Sequence, residues 1–232
     1  MKPELNPSAG EANMARRSFL RYAGASAAGI ALIGSAASCK KDRIIVNPTN
    51  GIDIGSGDIG ILNYAYALEQ LEAAFYLQVI ATPYSGISSM ETNYLTDIRD
   101  HEVLHRDFFK AAIGAKAIPT LTFDFSTINF SSRASVLGAA KLLEDTGVKA
   151  YDGAGYLIKD PGYLTIAGKI VSVEARHAAL ISNLITPGSF VGDDQIDADG
   201  LNKSNTIAEV LAAASGFFKT KVSAVNYNYT AK

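Results

Sequence analysis

The chain has 232 residues, a formal net charge of −2 and one cysteine. This length is sufficient for one domain with a buried core. The lack of a basic surplus or a basic stripe argues against nucleic-acid binding, and a single cysteine excludes an internal disulfide. Because there are only three histidines, their positions carry much of the functional information.

The N-terminal segment is predicted to be an export signal. Arg16 and Arg17 precede Ser-Phe-Leu-Arg and a weakly apolar run, residues 22–37. That run is too short and too rich in small residues to span a membrane. The pattern resembles a bacterial twin-arginine signal peptide over residues 1–38. The alternative is an ordinary basic segment of the general secretory route.

Small residues precede Cys39, as they do in a lipobox, although Ala36 stands where leucine is usual. The resemblance implies lipidation of Cys39, a lipid anchor on a membrane surface, and a periplasmic or cell-envelope location. The alternative is a free thiol near a different cleavage point. Residues 39–58 are rich in glycine and turn-forming residues and poor in large apolar ones, which predicts a flexible tether.

A first helix is predicted over residues 59–80, with Asp58 as its N-cap. Two carboxylates, Glu69 and Glu72, lie on the face that should be buried. A buried charge must be paired or bound to a metal, unless one of the two glutamates lies in solvent at the edge of this face. The residues that share the face, at spacings of three and four, are Leu62, Ala65, Glu69, Glu72, Tyr76 and Val79.

Two Glu-x-x-His motifs are the strongest functional signal in the sequence. A glutamate and a histidine three residues apart lie one turn apart on the same helical face, so both can reach one ion. The remaining histidine, His101, is adjacent to Glu102 and is predicted to be a surface residue that points elsewhere. The motifs are Glu102-Val-Leu-His105, in a helix predicted over residues 89–113, and Glu174-Ala-Arg-His177, in a helix predicted over residues 161–184.

The chain also contains an internal repeat. Glu69 is followed seven residues later by Tyr76, and Glu144 is followed at the same spacing by Tyr151, in a helix predicted over residues 132–151. Each of these helices precedes a Glu-x-x-His helix. The repeat therefore predicts a four-helix bundle, within residues 59–186, that has approximate twofold symmetry.

The segments between and after these helices complete the prediction. Residues 114–131 form a connection long enough to let the chain return along the bundle, and such a single crossover marks ferritin-like bundles. Residues 187–232 are predicted to contain an acidic loop, a short helix from about 206 to 218, and a loose tail. The predicted fold class is all-α.

Two glutamate helices combined with two Glu-x-x-His helices resemble the ferritin-like di-iron and di-manganese carboxylate proteins. The segment from Leu68 to Tyr76, the export signal and the extra C-terminal helix resemble the exported, desiccation-associated members. The resemblance implies six metal ligands: Glu69, Glu102, His105, Glu144, Glu174 and His177.

The same resemblance implies a role for each ligand. Glu102 and Glu174 would bridge two metals, Glu69 with His105 would hold one of them, and Glu144 with His177 the other. Glu72 would be an extra ligand or none, since the repeat aligns Glu144 with Glu69 and Gly147 with Glu72. Tyr76 and Tyr151 would hydrogen-bond the terminal carboxylates.

Two classes of function follow. The first is an exported oxidoreductase with two iron ions, or alternatively two manganese ions, that acts on Fe(II), oxygen or peroxide as a ferroxidase or in a catalase-like reaction. Its catalytic groups would be the metal ligands alone. The second is a non-catalytic protein that protects or scaffolds the envelope under stress such as drying. The oligomeric state is left open, with a homodimer as one arrangement.

Overall fold

The computed structural model describes residues 46–47 and 51–231, which form four long helices, one short helix and a small sheet. The predicted export signal with Arg16 and Arg17, and the predicted lipidation site Cys39, lie outside the described residues. The helices are α1 (Gly57–Ala81), α2 (Ser89–Ile113), α3 (Arg133–Gly155), α4 (Pro161–Ile185) and α5 (Ile207–Ala214). The strands are β1 (Val46–Asn47), β2 (Gly51–Asp53) and β3 (Val222–Ser223).

Local sequence signals explain where the long helices begin. Ser88 and Glu91 form a reciprocal capping box at the start of α2. Asp160 caps α4, where its side chain accepts from two backbone N–H groups of the first turn, and Pro161 is the first residue of this helix. The prediction that Asp58 caps α1 is wrong, since Ser56 occupies that position. The carboxylate of Asp58 instead accepts from the backbone N–H groups of Lys159 and Asp160, which ties the start of α1 to the start of α4.

Side-chain contacts establish the directions of the helices. The Nδ2 of Asn63, near the start of α1, donates to the carbonyl of Lys116 just beyond α2, so α1 and α2 are antiparallel. Arg133 at the start of α3 donates to Glu91 at the start of α2, at 2.6 Å, so α2 and α3 run in the same direction. The connection between them must therefore return along the bundle. The fold is an all-α, ferritin-like four-helix bundle with a single long crossover.

The hydrophobic core of the bundle has two parts. The first apolar cluster contains Leu68 of α1, Phe109 of α2, Ala150 of α3 and Ile170 of α4. The second contains Leu71, Ile98, Leu143 and Ile181 on the same four helices. Between the two clusters each helix carries one fully buried glutamate, so a polar layer crosses the middle of the bundle.

Part of the predicted tether and part of the predicted tail form strands of a small sheet, which differs from the sequence prediction. Ile52 of β2 pairs with Val46 of β1 and, on the other side, with Val222 of β3 in a parallel register. Ile52, Ile54 and Val222 are buried in the first cluster. These apolar segments are too short for an alternating pattern to be visible in the sequence.

Two further boundaries differ from the prediction. Helix α3 continues to Gly155, beyond its predicted end at Tyr151. The C-terminal helix is shorter than predicted, because it changes to a 3₁₀ turn at Ser215–Phe217. Among the helices of residues 51–231, none has the length and apolar content needed to cross a membrane.

Candidate metal centre

Six side chains from four helices converge in the polar layer. Glu69 of α1, Glu102 of α2, Glu144 of α3 and Glu174 of α4 are each 0% exposed. His105 of α2 and His177 of α4 are 8% and 4% exposed. Four carboxylates removed from water in one layer are costly unless they are paired or bind cations.

The first group of possible ligand atoms surrounds His105. Its Nδ1 lies 2.9 Å from Glu174 Oε1, 3.4 Å from Glu69 Oε2 and 3.6 Å from Glu102 Oε2. All four side chains are buried, and one ligand atom from each lies within 4.8 Å of the others. This spacing allows one ion to contact all four residues.

A second group surrounds His177 in the same way. Its Nδ1 lies 2.9 Å from Glu102 Oε1, 3.4 Å from Glu144 Oε2 and 3.7 Å from Glu174 Oε2. Glu102 and Glu174 thus direct one oxygen to each histidine, while Glu69 and Glu144 belong to one group each. Within residues 46–47 and 51–231, these two groups are the clusters with metal-ligating geometry.

Two tyrosines bind the outer oxygens of the terminal carboxylates. The hydroxyl of Tyr76 on α1 donates to Glu144 Oε1 on α3 at 2.5 Å, and that of Tyr151 on α3 donates to Glu69 Oε1 on α1. Each half of the repeat therefore supports the carboxylate of the other half. These hydrogen bonds leave Oε2 of Glu69 and of Glu144 directed at the histidines.

The remaining possible ligand atoms of the centre lack hydrogen-bond partners among residues 46–47 and 51–231. Although some distances to the histidine nitrogens are short, none of these atoms has a contact with hydrogen-bond geometry. Buried polar atoms are rarely left this way, and here they are the atoms that would face two metal ions. They are Glu69 Oε2, both oxygens of Glu102, His105 Nδ1, Glu144 Oε2, both oxygens of Glu174, and His177 Nδ1.

Burial and mutual repulsion control the protonation of the centre without metal. Burial and the Glu174 charge raise the pKa of Glu102 well above its usual range. Burial also raises the pKa of Glu144, to about 7, although the charge of His177 opposes this. Burial disfavours the charged form of His177, but Glu144, Glu102 and Glu174 together outweigh this cost and the pKa of His177 rises to about 12.

The other members follow the same logic. The pKa of His105 is also raised, because Glu69, Glu102 and Glu174 together outweigh the cost of burial. The pKa of Glu174 falls to about 2 despite burial, because both His105 and His177 contact it. Without metal, Glu102, Glu144, His105 and His177 therefore hold protons more strongly than free side chains do.

Glu72 is buried beside the centre but is a member of neither group. Burial, followed by repulsion from Glu174, raises the pKa of Glu72 well above its usual range. A Cβ added at Gly147 would lie 3.1 Å from Glu72 Oε1, so the glycine makes room for this carboxylate. Glu69 thus lies among the possible ligands and Glu72 next to them, and neither is at a solvent-exposed edge.

The prediction that His101 points away from the centre is wrong. The residue is exposed, but its Nδ1 lies 2.9 Å from His177 Nε2. Burial, followed by the nearby His177, lowers the pKa of His101. The spacing to His105 carries a sequence signal that was missed, since residues i and i+4 lie on the same side of a helix.

The comparison with known protein families agrees with this arrangement. A family model described as a ferritin-like domain matches residues 57–187, which is more than half of the chain and includes all four long helices. The chain belongs to the ferritin-like domain family. No curated protein matches the sequence. In this ferritin-like domain, the buried carboxylate and histidine cluster is compatible with a dimetal site.

Proposed function

We propose that this ferritin-like domain binds two metal ions and uses them in oxidoreductase chemistry on Fe(II), oxygen or peroxide. Iron is the proposed metal and manganese the alternative. One observation carries the proposal: eight buried ligand atoms of six residues have no hydrogen-bond partner in the described part of the chain, and they form two groups, each close enough to contact one ion. A purely structural core does not explain why these atoms are buried, since each unpaired polar atom is costly to bury.

The donor set fits the proposed metals. Carboxylate oxygens and imidazole nitrogens suit iron and manganese, while soft metals prefer sulfur. Glu69 and His105 would hold one ion, Glu144 and His177 the other, and Glu102 and Glu174 would contact both. Four carboxylates would balance the charge of two divalent ions. A bound redox-active pair would supply the electrons exchanged with oxygen or peroxide.

The protein's own contribution is to orient these ligands and exclude bulk water. Tyr76 and Tyr151 hold the outer oxygens of Glu144 and Glu69, which fixes each carboxylate with its other oxygen inward. The two apolar clusters lie on either side of the polar layer. In such a low-dielectric environment, interactions between charges are stronger than in water.

The first test is metal content. Purified full-length protein, loaded with Fe(II) or Mn(II) and desalted, should retain one ion for each of the two groups. Glu174→Gln removes a ligand shared by both groups and should abolish or strongly reduce this content. Glu209→Gln is the matched control, since Glu209 lies exposed at the start of α5. Equal metal content in the two variants would reject the assignment.

A second measurement separates catalysis from passive binding. Metal-loaded protein should consume peroxide or oxidise Fe(II), and Glu174→Gln should not. Retained metal without turnover would instead favour the non-catalytic envelope protein. In that case, cells that carry Glu174→Gln should survive drying as well as cells with the unchanged chain.

We also propose that the protein is exported, like the desiccation-associated proteins it resembles, and that a lipid on Cys39 anchors it to a membrane. The support is the sequence around Arg16, Arg17 and Cys39. Replacement of both arginines by lysine should block export. Cys39→Ala should release the protein from the membrane fraction. An unchanged distribution of the Cys39→Ala variant would reject the anchor.

A further inference from the structure

The two histidines of the candidate metal centre differ at their outer nitrogens. His177 Nε2 lies 2.9 Å from His101 Nδ1, while the two ring planes are within 9° of each other and the ring centroids are 5.2 Å apart. The distance between the two nitrogens is shorter than the distance between the two ring centroids by about two ring radii, so both nitrogens lie on the line that joins the centroids. The rings therefore lie edge to edge, with the two nitrogens aligned for a hydrogen bond.

The direction of this hydrogen bond follows from the inner nitrogen. Nδ1 of His177 faces Glu102 and Glu144, so it can bind a metal only if it carries a lone pair. A neutral imidazole has one donor and one acceptor nitrogen. Nε2 must then carry the hydrogen and donate it, and His101 Nδ1 must accept. Such a partner fixes the tautomer and the orientation of a metal-bound histidine.

His105 differs from His177 at this outer nitrogen. Within residues 46–47 and 51–231, no residue forms a hydrogen bond with its Nε2, and its side chain is 11% exposed, against 5% for His177. The sequence repeat explains the difference. His101 directly precedes Glu102, and the residue that directly precedes Glu174 is Val173, which cannot accept a hydrogen bond.

We infer that His101 is a positioning residue that makes the metal position of Glu144 and His177 bind metal more tightly than that of Glu69 and His105. The inference rests on the proposed function, since it requires that the centre binds metal. It goes further by assigning a role to a residue outside the six ligands. It also makes the two metal positions unequal, although the repeat predicts that they are alike.

The test uses full-length variants in which one position remains. His105→Ala leaves the position of Glu144 and His177, and His177→Ala leaves the other. Into each background we would introduce His101→Phe, which keeps a planar ring but has no acceptor, or His101→Asn, which keeps an acceptor near the place of Nδ1. Affinity is then measured by titration with Co(II), whose visible absorption reports ligand geometry.

In the His105→Ala background, His101→Phe should weaken Co(II) binding about 10- to 100-fold, the usual effect of losing a hydrogen-bond partner of a ligand. His101→Asn should restore most of this loss. In the His177→Ala background, neither change should alter the affinity. Proton NMR of the unchanged Co(II) protein should show one slowly exchanging imidazole N–H, which His101→Phe should convert to fast exchange.

Three results would overturn the inference. Equal losses in both backgrounds would mean that His101 supports the fold and not one histidine. No loss in either background would mean that the hydrogen bond does not position His177. If the unchanged protein binds no Co(II), Fe(II) or Mn(II), the proposed function fails and the inference fails with it, whereas binding that is insensitive to His101 rejects the inference alone.

Discussion

Removing the hydroxyl of Tyr76 should destabilise the metal-free protein, whereas removing that of Tyr64 should not. The Tyr76 hydroxyl is buried and donates to Glu144 Oε1 at 2.5 Å. In Tyr76→Phe, this oxygen is left buried without a donor. A hydrogen bond to a charged group contributes about 1.5–3 kcal/mol. The Tyr64 hydroxyl is also buried but has no hydrogen-bond partner among the described residues, so Tyr64→Phe is a matched control with an expected change near zero.

The assay is urea unfolding of the full-length protein in the presence of a chelator at pH 8, above the pKa of about 7 for Glu144. For a chain of this length, 1 kcal/mol corresponds to about 2–4 °C in Tm, so Tyr76→Phe should also lower Tm by about 3–12 °C. If Tyr76→Phe and Tyr64→Phe have the same midpoint, the Tyr76 hydroxyl does not support Glu144 and the reasoning is refuted.

Three more predictions concern ligand choice, pH and the small sheet. Glu69→Gln should reduce the metal content by one ion whereas Glu72→Gln should not, because only Glu69 lies in a ligand group; equal losses would make Glu72 a ligand. The metal-free protein should become less stable from pH 5 to pH 8, because Glu144 and His177 have pKa values raised to about 7 and about 12, so the folded state keeps protons that the unfolded state loses; a urea midpoint that rises over this range would contradict this. Gly51→Ala should lower Tm, because Gly51 has φ +77° and an added Cβ would lie 2.2 Å from the Lys221 carbonyl oxygen, whereas an unchanged Tm would show that the sheet adapts.

The sequence predicts the bundle well, because its helices repeat the same glutamate, tyrosine and histidine residues at fixed spacings. The helix predicted over residues 89–113 has those bounds in the structure, since Ser88 and Glu91 form a recognisable cap and Gly114 ends it. The fold class is confirmed, and the side chains of the repeat come together as its symmetry implies. Their role as metal ligands stays a prediction.

Other features depend on contacts between distant parts of the chain. Ile52 and Val222 are paired across the small sheet, but each lies in an apolar segment of only a few residues. Asp58 is of a residue type that often caps helices, yet its carboxylate accepts hydrogen bonds from the backbone N–H groups of Lys159 and Asp160. Neither pairing leaves a periodic pattern, so local sequence rules cannot find them.

The departures from symmetry are the most informative part of the repeat. Glu72 in the first half corresponds to Gly147 in the second, and the missing side chain leaves the space that the extra carboxylate occupies. Likewise His101 precedes one Glu-x-x-His motif and Val173 the other. Both differences change the surroundings of the centre while the six converging residues stay matched. If the two positions served only to neutralise buried carboxylates, unequal surroundings would bring no benefit. Unequal affinities would instead allow one ion to remain bound while the other is exchanged, which the proposed oxidoreductase function would use.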